Sequence, residues 1–148
     1  MAEVFFYHLQ GRPLEAALPQ LLEKCRERGW RCVVQASSPE RIDALDQLLW
    51  TYDDASFLPH GTDRQPEPAR QPILLTTGDA NPNGAQVRFF IERSSAPDLA
   101  GYTRVIHLFD GADPDEIDHA RAQWRAAKAA GHAVAYWQQT PEGRWVQR

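Results

Sequence analysis

Four side chains near the C-terminal end of the sequence have the chemistry and the spacing to bind an acidic ligand. Arg121, Trp124 and Lys128 are three or four positions apart, so on an α-helix they form one stripe, which Arg125 flanks. A guanidinium group can clamp a carboxylate through two parallel hydrogen bonds, and tryptophan beside arginine is typical of binding hot spots. The alternative is that Trp124 packs inward while the basic side chains extend around it. The residue types leave both alternatives open.

Alanines indicate which side of this helix faces inward. Ala120, Ala127 and Ala130 lie on a face beside the basic stripe. Because alanine lets a helix approach a sheet closely, this face is predicted to lie against the rest of the protein. The basic stripe is then predicted to face outward.

A second candidate surface, the Trp50 patch, consists of Trp50, Phe57 and Pro59. Trp50 ends a predicted helix, and it points roughly 130° away from the centre of the apolar stripe of that helix. Phe57 and Pro59 follow in a proline-rich segment. A tryptophan away from the core stripe, beside further aromatic residues, favours a protein-binding patch. The alternative is that the segment folds back and buries Trp50.

The motifs of several enzyme and cofactor classes are missing from the sequence. There is no GxGxxG or GxxxxGK[ST] phosphate loop, and no GxSxG nucleophile elbow. The five histidines show no HxH, HExxH or HxxxH spacing, and two cysteines are too few for a zinc site. We therefore expect no cofactor, no metal and no catalytic residue, and both cysteines are predicted to lie in the core.

Composition limits the class of protein further. The chain has 148 residues, 43% of them hydrophobic, which predicts one domain with a substantial core. Its net charge of −4 lacks the basic surplus of a nucleic-acid-binding protein, so direct binding would need a local basic patch. No run approaches the roughly 20 apolar residues that span a bilayer, and no basic leader precedes the first strand. We expect a cytoplasmic protein.

The elements that must position these residues alternate between strand and helix. Helices are predicted to begin at Ser38 and at Asp113, where Glu116 is expected to complete a capping box. An earlier helix either begins near Pro19 or is kinked there. Strands are predicted over 4–7, 31–35, 73–76, 87–91, 103–109, 133–138 and 144–146. This alternation predicts a single α/β domain of three layers with a mostly parallel sheet.

Taken in order along the chain, several short motifs resemble the chi subunit of the bacterial DNA polymerase III holoenzyme, an accessory of its clamp loader. The resemblance covers nearly the whole chain, and the order and spacing of the motifs carry it rather than any single one. The motifs are Phe6-Tyr7, Leu49-Trp50, Ser56-Phe57-Leu58-Pro59-His60, and the pattern of Arg121, Trp124, Arg125, Lys128 and Gly131. Trp124 stands where the family pattern often has tyrosine.

The resemblance implies a fold similar to nucleotide-binding proteins but without the nucleotide, and an adaptor rather than an enzyme. It implies one site for the acidic C-terminal tail of single-stranded DNA-binding protein (SSB), which ends in a phenylalanine carboxylate. That site carries over onto Arg121, Trp124, Arg125, Lys128 and Phe109. Nucleic acid would be contacted only through SSB.

The resemblance also implies a second partner, the psi subunit, which links chi to the clamp loader. Its site carries over onto Trp50, Phe57 and Pro59; another replisome or repair protein, such as a helicase, is the alternative partner. A small-ligand or enzymatic domain is the competing function. It predicts a deep pocket with convergent polar groups at the carboxyl ends of the strands.

Overall fold

The apolar runs of the sequence form one eight-stranded sheet in the computed structural model, which describes residues 2–10, 12–53 and 58–148. The strand order is β3-β4-β2-β5-β6-β1-β7-β8, and only β8 runs antiparallel to its neighbour. The strands are β1 (Glu3–Leu9), β2 (Cys32–Gln35), β3 (Gly61–Thr62), β4 (Ile73–Thr76), β5 (Val87–Phe90), β6 (Arg104–Asp110), β7 (Ala133–Gln139) and β8 (Trp145–Gln147).

Three helices cover this sheet within the described ranges: α1 (Leu14–Glu27), α2 (Pro39–Thr51) and α3 (Pro114–Ala129). The apolar residues of α1 and α2 pack on one face of the sheet in a single buried cluster. Those of α3 pack on the other face, in a second cluster. The predicted three-layer α/β fold with a mostly parallel sheet is confirmed. Both cysteines are buried and free, as predicted.

Helix boundaries follow local rules with two exceptions. Ser38 caps α2, since its hydroxyl accepts a hydrogen bond from the Arg41 amide at 3.3 Å. Asp113 caps α3 by accepting from the Asp115 amide at 3.0 Å. The other half of the predicted capping box is wrong, because Glu116 instead accepts from the Asp110 amide at 3.1 Å and so joins the helix start to the end of β6. A start of α1 near Pro19 is also wrong; the helix begins at Leu14.

The segment between α2 and β4 is irregular, as predicted, with only the short edge strand β3 and one 3-10 turn at Pro68–Arg70 in its described part. No helix within residues 2–10, 12–53 and 58–148 is long and apolar enough to span a membrane.

His107 on β6 lies inside the cluster beneath α3. Its ring is stacked between those of Phe6 and Phe90, each with a ring-centroid distance of 4.8 Å. Burial, with a smaller contribution from the nearby His119, lowers the pKa of His107 to about 3. The ring is therefore neutral in the folded protein at neutral pH and must pay a desolvation cost to gain a proton.

We expect this histidine to make the protein acid-sensitive. The unfolded chain binds a proton near pH 6.5 and the folded chain only near pH 3, so stability from neutral His107 is present above pH 6.5 and is lost between these values. Between pH 7 and about pH 4, the free energy of unfolding of the wild type should therefore fall by about 3 kcal/mol more than that of His107→Phe. Urea denaturation at a series of pH values measures this, and parallel curves would contradict it.

Candidate functional site: a cationic and aromatic pocket beside α3

Helix α3 lies close to the sheet because its inward residues are small. Ala120 and Ala127 are 5% and 3% exposed, as the alanine pattern predicts, whereas Ala130 is exposed at the C-terminal end of the helix. The packing brings Trp124 against the sheet, with its ring centroid 5.3 Å from that of Phe6 on β1. Arg121 and Arg125 remain exposed.

Between this helix and the sheet lies a cavity of about 340 Å³, which we call the α3 pocket. Helix α3 supplies one wall through Ile117, Arg121, Trp124 and Arg125. The floor is aromatic and comes from β1, β6 and β7, whose carboxyl-terminal halves run side by side. The floor residues are Phe6, His8, Phe109 and Tyr136.

Hydrogen bonding and ring contacts hold the floor in place. The Nδ1 of His8 shares a hydrogen bond with the hydroxyl of Tyr136 across neighbouring strands. Phe109 is only 6% exposed, and its ring centroid lies 5.1 Å from that of His8 and 6.2 Å from that of Tyr136. The floor is therefore a packed aromatic surface that carries one hydrogen-bonded polar pair.

The cations around the pocket are not neutralised by the protein itself. Within the part of the chain that the structure describes, Arg121, Arg125 and Lys128 form no ion pair. Burial raises the pKa of the Tyr136 hydroxyl, and the opposing effect of the Arg121 charge indicates that this guanidinium is near the floor. The pocket thus combines unpaired positive charge with an apolar wall.

Trp124 was expected either to pack inward or to face outward, and the structure shows part of each. The ring is half-buried against Phe6, yet it also forms part of the pocket wall. Lys128 does not line the pocket; its Nζ lies 5.6 Å from the Trp124 ring centroid, where its charge interacts with the ring face. Four of the five predicted residues therefore line one cavity, and the fifth lies over the Trp124 ring that forms part of its wall.

Sequence reasoning missed His8, Tyr136 and Phe6 as parts of this site. The alternation along β1 places Phe6 and His8 on one face, which is a signal that the sequence contains. Their pairing with Tyr136 depends on β7 lying beside β1, and no local pattern predicts that neighbour.

In the described part of the Trp50 patch, the tryptophan is exposed and the proline is half-buried. Trp50 is 55% exposed, so the alternative in which the following segment buries it is wrong. Its ring lies 5.0 Å from that of His60, which is buried and bonded to Asp46 at 2.9 Å and to the Leu58 carbonyl at 2.7 Å. Pro59 is half-buried beside this anchored histidine. Phe57 lies outside the described residues.

A pocket is also present at the carboxyl ends of the strands, where the competing function, a small-ligand or enzymatic domain, predicts one. A polar cavity of about 390 Å³ lies there, between the ends of β1 and β6 and the starts of α1 and α3. Three of its charged groups, Glu15, Arg41 and Glu92, are engaged with the protein itself, however. Glu92 accepts from the Ser37 amide at 3.0 Å and the Ser38 hydroxyl at 2.9 Å, and Arg41 lies 3.5 Å away.

These internal bonds favour a structural role for the polar cavity. Burial acts to raise the pKa of Glu92, but the hydrogen bonds from Ser37 and Ser38 outweigh it and hold the pKa below its ordinary value. The carboxylate is therefore an acceptor that fixes the start of α2 rather than a proton donor. Among the described residues, no cluster of three or more His, Cys, Asp or Glu side chains could hold a metal ion.

Fold and sequence together define the class: a three-layer α/β domain with a mostly parallel sheet, whose sequence contains no phosphate-loop motif. Residues 1–135 match the family model described as DNA polymerase III chi subunit, HolC. The chain is also 30% identical over 109 residues to the probable DNA polymerase III subunit chi of Rickettsia prowazekii (strain Madrid E). That alignment covers 74% of this chain and 66% of the relative, just under two thirds of its length. The chain belongs to the DNA polymerase III chi subunit family, which confirms the resemblance found in the sequence.

Proposed function

We propose that this chain is a non-catalytic accessory of DNA polymerase III that binds the acidic C-terminal tail of SSB in the α3 pocket. The observation that carries the proposal is the placement of unpaired guanidinium groups beside an aromatic wall. A peptide that ends in a phenylalanine carboxylate presents the complementary pair of groups, a negative charge and an apolar ring. Such an adaptor would work in the cytoplasm, at the replication fork.

The pocket geometry supports this ligand over a free anion. Arg121 and Arg125 could bind the terminal carboxylate and the acidic residues before it, because no internal carboxylate competes within the described chain. The terminal ring would lie between Trp124 and Phe109. A volume of about 340 Å³ is at the small end of ligand pockets, which suits one anchoring side chain rather than a large cofactor.

A fluorescence-polarisation titration with a labelled SSB-tail peptide tests the proposal. Charge-assisted contacts are screened by salt, so we expect micromolar affinity that weakens as salt is added. A peptide without its terminal phenylalanine, and one with an amidated C-terminus, separate the ring from the carboxylate. Full-strength binding of both control peptides, or no binding at low salt, would remove the assignment.

We further propose that the Trp50 patch contacts the psi subunit, or another replisome or repair protein in its place. Support comes from the exposed tryptophan, which sits on a histidine anchored by two hydrogen bonds. Tryptophan is enriched among the hot spots of protein interfaces, where truncation to alanine costs about 2 kcal/mol or more. This patch is at the end of α2 and the α3 pocket is on the opposite face of the sheet, so both partners could bind together.

Trp50→Ala should therefore abolish capture of purified psi, with a loss of at least about 2 kcal/mol, and leave SSB-tail affinity within about twofold. Isothermal titration with each partner measures the two affinities. Val146→Ala is the matched control, because Val146 is the other large exposed apolar side chain among the described residues. Equal weakening by both substitutions would show that the patch is not the contact.

A further inference from the structure

On the face of the sheet that carries α1, a second surface lies between the helix and the outer strands. It is an open groove of about 390 Å³, which we call the aromatic groove. Aromatic side chains from the three neighbouring strands β1, β7 and β8 form its base, and Trp30, after α1, forms part of its wall. The base residues are Phe5, Tyr7, Trp137 and Trp145, all of them half-buried.

Three cations are interleaved with these rings. The Arg104 guanidinium lies 4.5 Å from the Phe5 ring centroid and 5.4 Å from that of Trp30. Arg28 lies 4.9 Å from the same Trp30 ring, and Lys24 is exposed one helical turn earlier. No acidic side chain lines the groove in the described structure. The groove is therefore positive although the chain carries a net charge of −4.

One carboxylate lies at the edge of the aromatic groove, and two hydrogen-bond donors of the residues that line the groove lack acceptors. Glu3 pairs with Arg104 at 3.1 Å, but its side chain is half exposed, so the pair is weak. The Nε of Arg104 and the Nε1 of Trp137 are buried without an acceptor among the described residues. Both atoms are closed to solvent, so contacts to a ligand fall to the exposed cations of the groove, Lys24 and Arg28.

We propose that the aromatic groove binds single-stranded nucleic acid without sequence preference. Each nucleotide repeats one negative charge and one planar ring, and such strands are held by basic grooves in which bases stack on aromatic side chains. Tyr7 with Trp137 and Trp145 provides adjacent rings, with centroids 6.3 and 4.8 Å apart, and Arg28 and Arg104 provide guanidinium planes.

Other occupants fit these features less well. An acidic peptide would satisfy the cations, but it does not offer a ring at each residue and would leave most of the aromatic surface unused. A second copy of the chain, related by a two-fold axis, would bring like charges together. The groove and the α3 pocket lie on opposite faces of the sheet, so this inference does not depend on SSB-tail binding.

Fluorescence anisotropy with a labelled oligothymidylate of about 12 nucleotides tests the proposal. We expect a dissociation constant in the micromolar range, and an association constant that falls with salt with a logarithmic slope of about −2 for three phosphate contacts. The Lys24→Ala/Arg28→Ala pair, both exposed, should weaken binding about tenfold and reduce that slope by about 1.4. Trp145→Leu should weaken it about tenfold through lost stacking.

The matched control is Arg64→Ala/Arg70→Ala, which removes the same charge from two exposed arginines near the far edge of the sheet and should change DNA affinity less than about twofold. Equal weakening by both pairs would mean non-specific attraction and would overturn the proposal, as would no binding at low salt. If the Lys24→Ala/Arg28→Ala variant loses binding of polyglutamate but keeps binding of DNA, the groove is assigned to an acidic peptide instead. Loss of self-association in the same pair, with DNA binding intact, would assign it to a second copy.

Discussion

Replacing Arg121 with alanine is expected to weaken SSB-tail binding by about 2 kcal/mol, a factor of about 30 in dissociation constant. Arg121 lines the α3 pocket, and its charge acts on the Tyr136 hydroxyl in the pocket floor. It forms no ion pair within the described residues, so its removal leaves no buried carboxylate behind. The loss should therefore appear in binding and not in the free energy of unfolding.

Fluorescence polarisation with the tail peptide and thermal unfolding of the same sample separate these two effects. Arg70→Ala is the matched control, since Arg70 is a highly exposed arginine near the far edge of the sheet, and its one ion pair among the described residues is a surface contact with Glu67. The difference between the two variants should shrink as salt is raised. Arg121→Ala with wild-type affinity at low salt would exclude the α3 pocket as the site of the carboxylate.

Arg88→Met is expected to produce a large loss of stability, about 3–5 kcal/mol. Arg88 on β5 is completely buried, and its partners are all neutral. Its guanidinium donates to the Gln35 side chain at 3.0 Å, to the Tyr102 hydroxyl at 2.9 Å and to the carbonyls of Ala80 at 3.0 Å and Gly78 at 2.6 Å. Methionine fills similar space but leaves these acceptors without donors.

Because the acceptors come from β2 and from the loops after β4 and β5, one side chain joins three segments that are distant in sequence. For a chain of this size the loss corresponds to a fall in Tm of on the order of 10 °C, which calorimetry measures. Arg88→Lys should fall between the variant and the wild type, since an ammonium keeps the charge but not the planar fork of donors. A change below about 1 kcal/mol in Arg88→Met would show that the network does not stabilise the fold.

Local patterns were sufficient to predict most of the elements. The apolar run in β1, the cap residues Ser38 and Asp113 and the inward alanines Ala120 and Ala127 each have one dominant physical cause, and the structure confirms them. The role of Pro19 was left open and that of Glu116 was predicted wrongly, because tertiary context decided both. Pro19 is buried in α1, where packing outweighs one lost hydrogen bond, and Glu116 finds a donor at the end of β6.

The site was predictable only in part. Arg121, Trp124 and Arg125 share a helix, so their proximity follows from helical geometry. His8 and Tyr136 are 128 positions apart and meet only because β7 is the parallel neighbour of β1. The aromatic groove was missed for the same reason, since its rings come from three strands whose order in the sheet is not encoded in any local pattern.

Strand β1 supplies alternate side chains to two different surfaces, Phe6 and His8 to the α3 pocket and Phe5 and Tyr7 to the aromatic groove. A slip of one residue in its register would exchange the two sets, so neither surface can be altered through this strand without changing the other. Separation-of-function mutants should therefore be sought on the helices, where α1 and α3 each contribute cations to one surface alone. Insertions or deletions in β1 are expected to inactivate both surfaces at once.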